Sequence, residues 1–367
     1  MKANNSKEYL EHIISQFHKI HVQLFSIVLA FIINSIILLI VGYNPIQVII
    51  NVFEGAILGK GNIGSTLVTM TTILLTGLAF LTSIKCGLFN IGMQGQYVIG
   101  AFTASLVGFS ISLPTPIHIL VSLLAGVLGG VLWILPALIL KIKKDASVLL
   151  STLMLSFIAP FLGLFLVRVP FTNPNTAVAD TPYINSSAQL PGILPPSNVN
   201  IGLIISILMA FLLYIFLWKT EMGYKIRAVG ADKDVSHFMG INVSKYRSSG
   251  FIISGGLAGL GGALQVLGVW NRFFMMQSAA GFNTSPGWMG IPVGLVAGLH
   301  PIGAIFSSFF FGALNSGFQF IDLTTNVPAP FSGVLLGTIV AIISTPLIIE
   351  NLEEKIPDKI KNFREGS

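Results

Sequence analysis

Residues 87–100 read GLFNIGMQGQYVIG, which places three primary amides, Asn90, Gln94 and Gln96, among four glycines and beside an aromatic ring, Phe89. An amide side chain offers two N–H donors and a two-lone-pair acceptor without carrying charge. Amides next to a stacking face suit a neutral, hydroxyl-rich solute, and glycine lets the backbone leave a helix and expose its own polar groups. The same residues can instead bond helix to helix, with glycine permitting close approach. That packing role is the default for an isolated amide such as Gln265. Asn315 and Gln319 join Phe89, Asn90, Gln94 and Gln96 as candidate solute-pathway residues.

Other chemistries are poorly supported. The 14 carboxylates fall outside the apolar segments or at their edges, with Asp322 and Glu350 nearest. His118 and His300 lie at segment boundaries with no acidic neighbour in sequence. A proton-coupled carrier needs a buried group that binds and releases the ion, so ion coupling is disfavoured, although sodium sites built from carbonyls and hydroxyls stay open. There is no GxxxxGK[ST] loop for ATP and no HExxH or GxSxG signature. The single cysteine, Cys86, excludes an intrachain disulfide and gives no metal-ligand spacing. No catalytic residue, metal ligand or cofactor is expected.

The elements that must position these amides are membrane helices. The chain is 53% hydrophobic and 9% charged, with a mean hydropathy of +0.83, whereas soluble domains carry roughly 25% charged residues. Ten spans are expected at 22–42, 64–84, 91–110, 118–140, 147–168, 201–219, 248–269, 287–298, 302–320 and 331–349. The first reads as an uncleaved span rather than a signal peptide, because no small-residue cleavage site follows it. With the N-terminus inside, all but Lys60, Arg168 and Arg272 of the 20 basic residues fall on the cytoplasmic side. The positive-inside rule then places both termini in the cytoplasm and explains the net charge of +6 without nucleic acid. The expected organisation is a cytoplasmic segment 1–21, a membrane domain 22–349 and a cytoplasmic tail 350–367.

Two segments outside the membrane stand out. Residues 169–200 are proline-rich and should lie over the outer mouth, as a connector or a docking surface. Residues 219–247 predict amphiphilic helices broken at Gly230 and Gly240, suited to lie beneath the membrane and present a helix to a partner. There is also an internal echo: GLFNIG (87–92) and GLHPIG (298–303) share Gly, Leu, Ile and Gly, and a Gly-Ala pair follows each, at 100–101 and 312–313. Duplicated halves with a pathway at their junction are common in transporters.

GLFNIGMQGQ resembles the FNIG-x-x-GQ signature of the permeases of bacterial nucleoside ABC importers, a group related to simple-sugar and branched-chain amino acid permeases. MGYKIRAVGADKDVSHFMGINV (222–243) is similar to the G-x-x-x-RAVG…GI-x-V region of the same group. The resemblance extends over approximately residues 20–350. It implies that Phe89, Asn90, Ile91, Gly92, Gly95 and Gln96 line the solute pathway, and that Gly223, Arg227, Ala228, Gly230, Gly240 and Ile241 couple the chain to an ATPase. Gln94 stands where many relatives have Glu, and Val235-Ser236 replaces a common Ala-Ala. The resemblance also implies partners in a bacterial cell membrane. These are ATP-binding cassette subunits, a second and often different permease chain, and an external substrate-binding protein that is soluble or lipid-anchored. The expected fold is all-α, and the expected function is inward movement of nucleosides. A ribose or simple-sugar permease and an ion-coupled secondary transporter are the alternatives.

Overall fold

A computed structural model of the chain describes residues 26–174, 176, 179–274, 286–324, 333–343 and 345. Among them the secondary structure is helical, with isolated β-bridges and no strand. In chain order the helices are α1 (Ser26–Val41), α2 (Pro45–Ile57), α3 (Lys60–Lys85), α4 (Met93–Ser110), α5 (Thr115–Lys144), α6 (Val148–Arg168), α7 (Gly202–Lys219), α8 (Glu221–Ala231), α9 (Lys233–Phe238), α10 (Val243–Gln265), α11 (Pro286–Val296), α12 (Pro301–Thr324) and α13 (Gly333–Ile343).

Six of these are long and apolar enough to cross a membrane: α3, α5, α6, α7, α10 with the π-helical turn that follows it, and α12. The expected third span coincides with α4, whose amides and glycines dilute its apolar residues. The first, eighth and tenth coincide with the shorter α1, α11 and α13. Helix α2 was not expected. It has 13 residues, too short to cross ~30 Å of hydrocarbon at 1.5 Å per residue. It starts where Asn44 Oδ1 accepts from the Ile46 N–H at 3.0 Å, with Pro45 in the first turn, where its missing N–H costs nothing. The segments 1–21 and 350–367, with Glu350, lie outside the described residues, as does the side chain of Asp322 on α12.

The chain forms two compact units. Unit one, Met1–Gly55 with Gly317–Ser367, is tied by the buried Asn34 amide, which donates to the Leu335 carbonyl at 3.0 Å and accepts from the Thr338 hydroxyl. Unit two, Ala56–Ser316, holds α3 to α11. At its centre α10 crosses α4 and α5 on small residues: a Cβ added to Gly100 would lie 2.4 Å from the Gly259 Cα, and one on Gly262 would lie 2.0 Å from the Tyr97 carbonyl oxygen. Backbones in such contact gain dispersion energy without help from the hydrophobic effect, which is absent between helices in lipid.

Residues 180–200 are strapped to the end of α10. The Thr181 N–H donates to the Phe273 carbonyl and the Leu190 N–H to the Leu267 carbonyl, each at 2.8 Å. The Asn200 amide donates to the Gly268 carbonyl at 3.0 Å. Residues 266–270 are π-helical, a geometry that interrupts the regular ladder and leaves carbonyls such as these for outside partners. The buried Asp180 pairs with Arg272, whose guanidinium also stacks 4.8 Å from the Tyr183 ring. His118 binds the Ser187 hydroxyl at 2.8 Å, holding the strap to α5 as well.

Candidate functional site: a turn shared by five helices

Helix α3 ends in a left-handed glycine. Gly87 has φ +75°, and its N–H donates to the Ile84 carbonyl while the Leu88 N–H reaches the Ser83 carbonyl. This closes the helix without an L-residue strain penalty. The echo at 298–303 repeats the device: Gly298 has φ +62°, and the N–H groups of Gly298 and Leu299 donate to the Leu295 and Gly294 carbonyls. The two hexapeptides therefore share a hydrogen-bond pattern as well as letters, but Leu299, at φ +54°, is left-handed too.

Between α3 and α4 the chain turns on Asn90, which is 0% exposed. Its Oδ1 accepts from the Gly92 N–H at 2.8 Å and from Gln96 Nε2 at 3.2 Å. Its Nδ2 donates to Gln96 Oε1 at 3.1 Å and to the Ser254 hydroxyl of α10 at 3.0 Å. All four hydrogen-bonding positions of the amide are filled. Gln96 is 1% exposed. The flanking Ile91 N–H donates to the Thr152 hydroxyl of α6 at 3.2 Å. The expectation put Asn90 and Gln96 on a pathway wall; in the structure both are buried and hydrogen-bond each other, which satisfies amides removed from the surface.

The other candidate pathway residues differ. Phe89 is 42% exposed and meets Phe80 edge-on at 5.5 Å between ring centroids. The Gln94 side chain is buried; its Oε1 accepts from the Gly287 N–H at 3.0 Å, capping the start of α11, while its Nε2 has no hydrogen-bond partner among the described residues. Asn315 is half-buried on α12 in unit two, and Gln319 is exposed on the part of α12 in unit one.

The segment expected to couple, 219–247, forms α8 and α9, with one correction. Helix α8 runs through Gly230 to Ala231, and the break falls at Asp232, whose carboxylate accepts from the Asp234 and Val235 N–H groups and so starts α9. Gly240, at φ +77°, does end the following turn. Gly230 is required for packing instead: a Cβ there would lie 2.1 Å from the Lys85 carbonyl oxygen and 3.0 Å from the Gly87 nitrogen. Gly223 seats α8 against α7, since a Cβ there would lie 2.0 Å from the Phe216 carbonyl oxygen. Arg227 turns inward; its Nε donates to the Leu217 carbonyl at 2.9 Å, and its guanidinium lies 5.0 Å from the Trp218 ring. Ala228 is half-buried on α8, and Ile241 is half-buried in the turn before α10.

Several residues of this region escaped the sequence reading. Thr152 and Ser254 are hydroxyls among many, and only their partners distinguish them. Trp218 gathers Arg227, Lys85 at 5.8 Å and His300 at 4.9 Å. Burial, and then the Lys85 charge, hold the His300 imidazole below its ordinary range. Burial also pushes the Cys86 thiol up to about 12, so it stays protonated and unreactive. Phe238 is 90% exposed, and Met239 and Val235 are exposed beside it. An apolar cluster in so polar a stretch was the signal available in the sequence.

The groove of about 290 Å³ between α5, α7 and α10 is lined by Val127, Val131, Met209, Ile252, Gly256 and Leu260, and offers no polar surface. Its chemistry suits lipid rather than a hydrophilic solute. Among the described residues no cluster of His, Cys, Asp or Glu could hold a metal ion.

A family model for the branched-chain amino acid transport system permease component matches residues 62–344. The chain is 32% identical over 344 residues to the nucleoside ABC transporter permease NupB of Lactococcus lactis subsp. cremoris, covering 90% of this chain and 92% of that one. It is 27% identical over 346 residues to the guanosine ABC transporter permease NupP of Bacillus subtilis, covering 93% and 97%. Against the glucose ABC transporter permease TsgB13 of Haloferax volcanii it is 24% identical over 331 residues, covering 87% and 86%.

Proposed function

The chain belongs to the branched-chain amino acid transport system permease family, and from that premise we propose that it is the membrane subunit of an ABC importer that carries nucleosides into a bacterial cell. The observation that carries this reading is similarity along nearly the whole chain to a permease named for nucleosides. Apolar helices long enough to cross a bilayer agree with a multi-pass membrane protein.

The orientation has both termini in the cytoplasm, with α8 and α9 on that side. ATP is hydrolysed on a separate cassette subunit, and the exposed Val235, Phe238 and Met239 are the surface that meets it. Gly223, Arg227, Ala228, Gly230, Gly240 and Ile241 shape and seat that element. Phe89, which is exposed, and Gln94, whose Nε2 lacks a partner among the described residues, are the pathway residues proposed to meet solute as helices move; Asn315 and Gln319 carry the same proposed role, each on its own unit. A second, different permease chain and an external substrate-binding protein complete the assembly. The strap at 180–200 lies at the opposite end of α4 and α10 from Lys85, where such a binding protein would dock. The shared turn at Gly87 and Gly298 supports duplicated halves. Transport proceeds by alternating access, because a pathway open to both sides at once would dissipate the gradient.

The test is uptake of labelled uridine and adenosine by vesicles containing the co-purified complex, with ribose, glucose and leucine as competitors. Competition by both nucleosides alone, dependent on ATP, is the expected result. Similarity to a glucose permease favours a sugar as the second reading, and inhibition by glucose or ribose would select it. Uptake that persists without the ATPase subunit would select an ion-coupled carrier.

A further inference from the structure

The two sequence motifs, remote in the chain, touch. Gly230 of α8 lies against the last carbonyl of α3 and against Gly87, with no side chain between: a Cβ on Gly87 would lie 3.1 Å from the Gly230 Cα and 3.0 Å from an Arg247 guanidinium nitrogen. One residue earlier, Cys86 packs on Gly250 of α10, where a Cβ would lie 2.6 Å from the cysteine Cβ. The turn that receives these contacts is fastened to three more helix positions: Asn90 to Gln96 on α4, Asn90 to Ser254 on α10, and the Ile91 N–H to Thr152 on α6.

A flexible side chain at such a contact would absorb a displacement of about an ångström by changing rotamer. Two glycines in backbone contact cannot, because packed interiors transmit strain. The fastenings on the far side make the turn move as a unit with α4, α6 and α10 rather than deform alone. The geometry points to the Gly87–Gly230 contact as the mechanical joint between the coupling helix and the membrane helices. Asn90 is then a positioning residue that lashes the joint to α4 and α10, beside the Ile91 fastening to α6, and not a group that touches solute. This rests on the ATP-driven reading above and adds how the motion enters the bundle.

The test measures ATP hydrolysed per nucleoside imported, in vesicles holding the full complex, for Gly230→Ala and Ser254→Ala. Gly230→Ala wedges the joint and Ser254→Ala removes one fastening at little steric cost, so the second variant remains informative if the first does not assemble. Both are expected to raise the ATP-to-nucleoside ratio several-fold, Ser254→Ala with ATP hydrolysis and binding-protein docking retained. A ratio equal to that of the unsubstituted protein in Ser254→Ala, or in an assembled Gly230→Ala, overturns the joint. A shift in apparent nucleoside affinity at constant ratio also overturns it, and returns Asn90 and its partners to the pathway wall. Absence of nucleoside uptake by the unsubstituted complex would instead refute the substrate reading and leave the joint to be scored on whichever solute is carried.

Discussion

Asn90 and Gln96 hold each other through two reciprocal amide hydrogen bonds of 3.1 and 3.2 Å, six residues apart across the start of a helix. The pair turns a polar sequence in an apolar chain into a closed, self-satisfied unit.

Replacing Asn90 by leucine opens that unit. Gln96 and the Gly92 N–H lose their partners in a buried site, at about 1–3 kcal/mol for each unsatisfied group. The expected outcome is impaired uptake with the complex still assembled, and a lower melting temperature in detergent. Replacing both Asn90 and Gln96 by leucine should cost less than the sum of the single changes, since each single change leaves an orphan that the double does not. Additive losses would mean the two amides act independently.

Arg227→Glu should leave the protein inserted and cut ATP-driven uptake at least tenfold. The substitution removes the donor to the Leu217 carbonyl and puts a carboxylate where a guanidinium lay over Trp218. A ring face attracts cations and repels anions, so α8 loses its seat on α7. Western detection in the membrane fraction together with uptake separates insertion from coupling; normal uptake would remove Arg227 from the coupling element.

Phe238→Ala tests the exposed surface of α9. At 90% exposure the ring contributes little to the fold of this chain, so the melting temperature of the isolated permease should hold within a degree or two. Retention of the ATPase subunit on affinity-tagged permease should fall severalfold. Undiminished co-purification would place the contact elsewhere.

The Asp180–Arg272 pair gives a stability prediction on the opposite side. Asp180 is fully buried, and removing one member of a buried pair costs about 3–5 kcal/mol, here toward the low end because Arg272 is a quarter exposed. Arg272→Met and Asp180→Asn should each lower the melting temperature by several degrees, and the combined variant should recover part of the loss. The check is differential scanning fluorimetry on the purified complex.

His300 predicts a pH dependence. Its Nδ1 accepts from the Ile302 N–H at 3.3 Å, which requires an unprotonated nitrogen. Its pKa is held below the ordinary histidine value, first by burial and then by Lys85, so the unfolded chain takes up the proton first. Stability is therefore full above that ordinary value, and declines as pH falls through it. Melting curves from pH 8 to 5.5 should show a steeper acid decline for the unsubstituted protein than for His300→Gln, which keeps an acceptor and cannot charge.

Much of this was legible in the residues themselves. Hydrophobic runs near twenty residues fix where helices form, because every backbone polar group in hydrocarbon must be satisfied within its own segment. The glycine at 87 and its echo at 298 marked two turns that share a left-handed glycine and a hydrogen-bond pattern, although Leu299 is left-handed as well. The FNIG and RAVG motifs announced the family. What the sequence could not show is which partners the polar groups find. Gly230 looked like a helix breaker and is a packing glycine, because close approach depends on Lys85, far away in the chain. Asn90 was read as a group facing solute, and in the structure its amide is bonded to Gln96, Gly92 and Ser254. A residue type sets how many hydrogen bonds a side chain can make and how near a backbone can come. Only the folded arrangement of helices decides whether those capacities are spent on a neighbour or left open to a passing molecule.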